Sequence, residues 1–162
     1  MFWHKDQEDT RLTTRIILVR HGESTFNVER RVQGHLDQSI LTETGRGDAS
    51  KVAIALKDLG FDAAYSSPLK RAKQTADLIL SGLKQPPAQS LQTTDLLKEI
   101  SLPIWEGLPF AEVEANYPEA FGDWQTAPHL LKMSVPGADG QPTDFYPVPA
   151  LFEQAQDFWQ QV

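Results

Sequence analysis

The residues best equipped for chemistry fall into two short clusters. Arg20-His21-Gly22-Glu23 follows the apolar, β-branched run Arg15-Ile16-Ile17-Leu18-Val19. Ser66-Ser67-Pro68-Leu69-Lys70-Arg71 follows the weaker run Asp62-Ala63-Ala64-Tyr65. Each cluster stands where a strand is predicted to end, the place where open α/β sheets bind ligands. Neighbouring strand ends would present His21, Arg20 and Arg71 to one cleft. Two guanidinium forks can grip the non-bridging oxygens of a phosphoryl group bidentately, which lysine cannot do. An imidazole with an unperturbed pKa of roughly 6.5 is mostly unprotonated at pH 7 and can attack phosphorus. Gly22, lacking a side chain, would let a substrate approach the backbone closely.

Such a site needs a framework. The chain has 162 residues, 40% hydrophobic and 23% charged, proportions of a single soluble domain with a substantial core. It has no cysteine, which removes disulfide scaffolds, thiolate zinc sites and thiol catalysis. No stretch approaches the roughly 20 apolar residues of a membrane helix. The start, Met1-Phe2-Trp3-His4-Lys5-Asp6, does not read as a secretion leader, so a cytoplasmic protein is expected. Fifteen Lys and Arg against 22 Asp and Glu give a net charge of −7, which argues against nucleic acid as a partner. The cations gather early: Arg20, Arg30, Arg31, Arg46, Lys70 and Arg71 lie in the first half, whereas Glu99 to Val162 holds only Lys132. A basic pocket in an acidic protein suits a small anionic ligand.

Residues 1–14 read as a polar leader and 15–162 as one domain. The run at 15–20 predicts a strand buried on both faces. Thr42 can cap a helix carrying Ala49, Val52, Ala53, Leu56 and Leu59, with Gly60 as its stop. A second strand is predicted at 62–66, then a helix opening at Ser67-Pro68 with Leu69, Ala72, Ala76, Ile79 and Leu83 on its apolar face. A third strand falls within 90–97, and Pro109 starts a short helix through Phe110, Val113 and Tyr117. The stretch from Pro128 to Pro147 has no regular pattern. Leu151, Phe152, Ala155, Phe158, Trp159 and Val162 form the apolar face of a last helix. Alternating strands and helices imply an α/β layered fold with a largely parallel sheet.

The clusters sit in a wider ordered set: Leu18-Val19-Arg20-His21-Gly22-Glu23-Ser24-Thr25 with Asn27, Gln33-Gly34, Leu41-Thr42-Glu43-Thr44-Gly45, Tyr65 to Ala76, Leu97-Lys98-Glu99-Ile100 and Trp105-Glu106-Gly107. Over residues 15–107 this set resembles the histidine phosphatase superfamily, in its phosphoglycerate-mutase-like branch. The resemblance implies a three-layer α/β/α sandwich with a mostly parallel sheet. It implies that His21 attacks phosphorus and becomes phosphohistidine, and that Arg20, Asn27 and Arg71 hold the phosphoryl oxygens. Gly22, Gln33 and Gly34 complete the expected substrate contacts. Glu99 is the expected proton donor, with Glu106 as its rival. Neither metal nor cofactor is implied. The expected partner is a small phosphorylated substrate, with no nucleic acid and no membrane; a homodimer is compatible. His35 and His129 receive no role. The aromatics Trp105, Phe110, Tyr117, Phe121 and Trp124 read equally as a lid over the cleft or as a plain helical cap.

The departures matter too. Members of the family carry a second histidine near the C-terminus, in a central strand ending in a Ser-His-Gly-like turn. Of His4, His21, His35 and His129, only His21 precedes a glycine. The expectation is therefore a domain truncated at its C-terminus, with one strand edge at 16–19 left open and activity weak in isolation. Where mutases have Glu-Arg-His-Tyr-Gly, this chain has Glu99-Ile100-Ser101-Leu102-Pro103, which favours water as the phosphoryl acceptor over mutase-type transfer. Leu102-Pro103-Ile104-Trp105-Glu106 and the stretch 147–154 are similar to members described as 2-carboxy-arabinitol-1-phosphatase-like, which points to a sugar phosphate or sugar-acid phosphate. The alternatives are phosphoglycerate-mutase-type transfer, and an inactive fragment or phosphate-binding pseudo-enzyme.

Overall fold

The computed structural model of the protein describes residues 14–161. Residues 1–13 and 162 lie outside it, and with them nearly all of the expected leader, His4, and Val162 of the last apolar face.

Local capping chemistry starts the architecture. Ser24 caps the short helix α1 (Thr25–Val28): its hydroxyl accepts the Asn27 N–H while the Asn27 side chain accepts the Ser24 N–H, a reciprocal box that fixes the turn after His21. Thr42 caps α2 (Glu43–Leu56) by accepting the Gly45 N–H, as its sequence position predicts. The strand β1 (Tyr65–Ser66) pairs in parallel with β2 (Gln92–Thr93), and α3 (Lys70–Ser81) connects them and packs on α2. Helices thus alternate with strands as in an α/β fold.

The second half gathers around Trp105, which is only 1% exposed. Tyr117, between helices α4 (Phe110–Asn116) and α5 (Pro118–Thr126), and Phe121 and Trp124 on α5 each have a ring centroid 6.4 Å from that of Trp105. Leu102, Val113, Leu131 and Met133 complete this core with Val32. The aromatics therefore form a packed helical cap. The stretch without a pattern, 128–147, contains a hairpin, β3 (Met133–Pro136) and β4 (Pro142–Phe145). Its inward side chains Met133, Val135 and Phe145 join the core. The last helix, α6 (Pro147–Gln161), lays Phe158 edge-on to Tyr65 at 5.7 Å.

Three expectations need correction. Residues 14–20 take part in no strand pairing among the described residues, and Ile16, Ile17, Leu18 and Val19 are 52%, 38%, 83% and 45% exposed. A strand exists through its ladder, and no described segment forms one with this apolar run. The buried residues of α3 are Arg71, Thr75 and Ile79, while Ala72 and Ala76 are only half-buried. The inward face is thus rotated toward polar groups that serve the site. On α6, Phe152 and Trp159 remain largely exposed, so only part of its apolar stripe is covered.

An open row of apolar residues invites edge-to-edge association. The 162-residue chain is expected to self-associate through residues 16–19. Ile16→Lys with Leu18→Lys should lower light scattering and dye binding to exposed apolar surface, leaving far-ultraviolet circular dichroism unchanged. Equal association by the double variant would place the sticky surface elsewhere.

Candidate active site

His21 lies in a turn whose backbone is held from three sides. Its Nδ1 is 2.8 Å from the Gly22 carbonyl oxygen. A carbonyl can only accept, so Nδ1 carries the hydrogen and Nε2 keeps the free lone pair. The Gly22 N–H donates to Thr75 Oγ1 at 3.1 Å, and the Thr75 hydroxyl donates to the Arg71 carbonyl at 2.8 Å. On the other side Gly22 faces Gly45 at the start of α2. A Cβ on Gly22 would overlap the Gly45 carbonyl, and one on Gly45 would overlap the Glu23 carbonyl. The bare backbone of Gly22 thus makes room for α2.

Arg71 is 1% exposed and organises the floor. Its Nη2 donates to the Gly34 carbonyl at 2.9 Å and to Glu99 Oε2 at 2.7 Å, and its Nη1 donates to the Leu36 carbonyl at 3.1 Å. Arg71 Nε is buried without a described partner. Burial pushes the His21 pKa below its ordinary value. The Gly22 carbonyl opposes this, Arg71 reinforces it, Glu99 opposes it, and Arg20 reinforces it. The imidazole is therefore neutral at neutral pH. The same influences place Arg71, Glu99 and Arg20 within electrostatic reach of the ring.

An open depression of about 340 Å³ is lined by Arg20, His21, Glu23 and Asn27. Asn27 keeps its exposed position at the rim while its Oδ1 serves the Ser24 cap. Glu23 is turned aside, its Oε1 accepting the Thr42 hydroxyl at 2.7 Å. Neither the buried Arg71 nor the exposed Glu99 is part of this lining. Gln33 and Gly34 are not among the residues that line the depression. Gln33 Oε1 accepts from the Ser24 and Ser39 hydroxyls at 2.8 and 3.0 Å, and the Gly34 carbonyl holds Arg71. Gln33 is buried and Gly34 with it, so they support the floor. Glu106, the rival proton donor, is occupied elsewhere, because its Oε1 accepts the backbone N–H groups of His35 at 2.9 Å and Leu102 at 3.1 Å.

Two contributors receive no role from the sequence. Thr75 ties the His21 turn to Arg71, and its signal is its place four residues after Arg71 on one helical face. His35 reaches the Glu99 carbonyl with Nε2 at 2.7 Å, and nothing in its sequence neighbourhood announces that. Among the described residues no group of His, Cys, Asp and Glu could hold a metal ion, and no helix is long and apolar enough to cross a membrane.

Comparison with known proteins gives a consistent picture. Residues 16–141 match the histidine phosphatase superfamily (branch 1). The chain is 37% identical over 155 residues to a probable 2-carboxy-D-arabinitol-1-phosphatase of Arabidopsis thaliana, covering 96% of this chain and 30% of that protein. It is 34% identical over 148 residues to the 2-carboxy-D-arabinitol-1-phosphatase of Triticum aestivum, covering 91% of this chain and 27% of that protein. It thus spans less than a third of either plant relative. Among solved structures, Bacillus stearothermophilus YhfR superposes with a TM-score of 0.72 at 34% identity, over 88% of this chain and 63% of that one.

Two outcomes follow from the geometry. Gly22→Ala should destabilise the fold by roughly 1–3 kcal/mol through backbone overlap, read as a lower urea midpoint; an unchanged midpoint would contradict the Gly22–Gly45 packing. The His21 ring should titrate below 6.5 by NMR. Because folding lowers this pKa, the folded state binds fewer protons than the unfolded chain as pH falls through 6.5. Stability attributable to His21 is then lost on acidification, down to the folded-state pKa, and is intact above that window. His21→Asn should flatten this part of the urea-midpoint profile.

Proposed function

The chain belongs to the histidine phosphatase superfamily (branch 1), and from that premise we propose that it hydrolyses small phosphomonoesters through a phosphohistidine on His21. The observation that carries the proposal is the state of the ring. His21 is neutral, its Nδ1–H is committed to the Gly22 carbonyl, and Nε2 is left as the nucleophilic nitrogen beside the cations Arg20 and Arg71.

In the proposed sequence, Nε2 attacks phosphorus, a P–N bond forms, and the ester P–O bond breaks with its electron pair leaving on the alcohol oxygen. Glu99 supplies the proton that oxygen needs. Water then attacks the phosphohistidine, Glu99 takes up its proton, and the P–N bond breaks to release inorganic phosphate. Arg20 and Asn27 at the depression, with the buried Arg71, supply the positive and hydrogen-bonding field for the transferring group. The anion competes with Glu99 for Arg71, and this exchange leaves the buried guanidinium paired at each stage.

The substrate class we propose is a phosphorylated sugar acid or sugar phosphate. The names of the two plant relatives support it, together with the cationic first half of the chain. The neutral sequence Ile100-Ser101-Leu102-Pro103 after Glu99 supports water over a second phosphorylated ligand as acceptor. A cytoplasmic setting belongs to the same proposal.

Brief incubation with an aryl phosphate labelled in phosphorus should leave acid-labile label on wild type and none on His21→Ala. Glu99→Gln should slow hydrolysis of an alkyl phosphate by about 10²–10⁴-fold, the span of general acid catalysis. Absence of both label and hydrolysis in the wild-type protein would favour a phosphate-binding pseudo-enzyme.

A further inference from the structure

Glu99 follows the 3₁₀ turn Asp95–Leu97 and belongs to no helix or strand. A proton donor on such a segment needs external fixation to stay within reach of a leaving oxygen. Its carboxylate is held by Arg71 through Oε2, but that tie weakens whenever the carboxyl holds a proton, because a neutral acid binds a guanidinium less strongly than a carboxylate does. The other described hydrogen bond of Glu99 is to its backbone. The Glu99 carbonyl accepts from His35 Nε2 at 2.7 Å.

His35 is itself anchored. Its N–H donates to Glu106 Oε1 at 2.9 Å, and the carbonyls on either side of it, Gly34 and Leu36, are both gripped by Arg71. The backbone preceding Glu99 is pinned from α6, where Gln154 Nε2 donates to the Lys98 carbonyl at 2.8 Å and to the Leu96 carbonyl at 3.1 Å. We propose that His35 is a positioning residue for Glu99: its ring Nε2–H fixes the Glu99 main chain while the carboxyl gives a proton to the leaving oxygen and later takes one from water. This rests on the phosphatase reading and adds a specific role to a side chain outside the family motifs.

The test uses leaving groups. p-Nitrophenolate departs without protonation, whereas an alkoxide does not. His35→Ala should therefore lower kcat for an alkyl phosphate such as glycerol phosphate by about tenfold or more, while p-nitrophenyl phosphate changes by less than about twofold. His35→Gln, which restores a side-chain N–H donor, should recover most of the alkyl rate. In a Glu99→Gln background His35→Ala should cost almost nothing further, because the two act through one proton transfer. Equal losses on both esters, or fully additive effects, would overturn the proposal. The hydrogen bond is also readable without turnover. Nitrogen-15 NMR should find the His35 ring locked with Nε2 protonated, and averaged tautomers would overturn it. If wild type forms no phosphohistidine and hydrolyses neither ester, the phosphatase reading falls, and the ring spectrum alone then decides whether the His35 tie stands.

Discussion

Arg71 brings a full positive charge into the protein interior, and the surrounding structure answers to it. Removing a guanidinium from water is expensive, with a penalty of several kcal/mol that only close, well-aligned partners offset. Here the partners are two backbone carbonyls and one carboxylate. Each comes from a segment that would otherwise be a loose loop: Gly34 and Leu36 from one side, Glu99 from the other. Through its own carbonyl Arg71 also receives Thr75, and Thr75 receives Gly22. One cation thereby sets the relative positions of the His21 turn, the 34–36 loop and the Glu99 segment. A lysine would keep the charge but lose the planar fork that spans three acceptors.

The loop carrying Gly34 and His35 is held from its far side by the element Trp105-Glu106-Gly107. Glu106 commits its carboxylate to two backbone N–H groups, and the Gly107 N–H donates to the Val32 carbonyl at 2.8 Å. Trp105 fills the core between α4, α5 and the β3–β4 hairpin. The aromatic cap therefore acts on the site through Glu106 and the backbone, with none of its own rings in the lining of the His21 depression.

The fold class is legible in the sequence, and so are the residues of the candidate site, whereas individual elements are less so. His21, Arg71 and Glu99 stand in short motifs whose chemistry is specific, and the structure brings them within mutual influence. Thr42 announces α2 because a capping hydroxyl is a local signal. The apolar run at 16–19 announces a strand, but a ladder depends on a second segment that no local pattern can supply. The inward face of α3 is hidden from a hydrophobicity pattern, because Arg71 and Thr75 are polar and such a pattern assigns them to solvent. The β3–β4 hairpin is hidden because Gly137 to Gly140 and two prolines read as irregular chain, although Met133, Val135 and Phe145 alternate as strand residues do. Gln33, Gly34 and Glu106 stand in the motifs, and the hydrogen bonds they make tie backbone and side chains around the site together. A motif reports that a residue type is needed, and only the hydrogen bonds tell whether it touches substrate or holds something that does.

That distinction bears on how the site keeps its shape. In a sheet-based site the reactive side chain inherits its position from ladder bonds on both flanks. His21 follows a segment with no ladder among the described residues, yet its turn is fixed by Gly22 against Gly45, by Thr75, and by the Ser24–Asn27 box that follows it. Glu99 is fixed in the same manner, through side chains that reach backbone carbonyls. Most of these bonds join segments distant in sequence, so each opposes the motion of two loops at once. The cost of ordering a loop is mainly backbone entropy, and a side chain already immobilised by burial can hold a carbonyl with little further loss. Arg71, immobilised by its burial, illustrates this most clearly, and His35 and Gln154 extend it outward to the segment that carries Glu99.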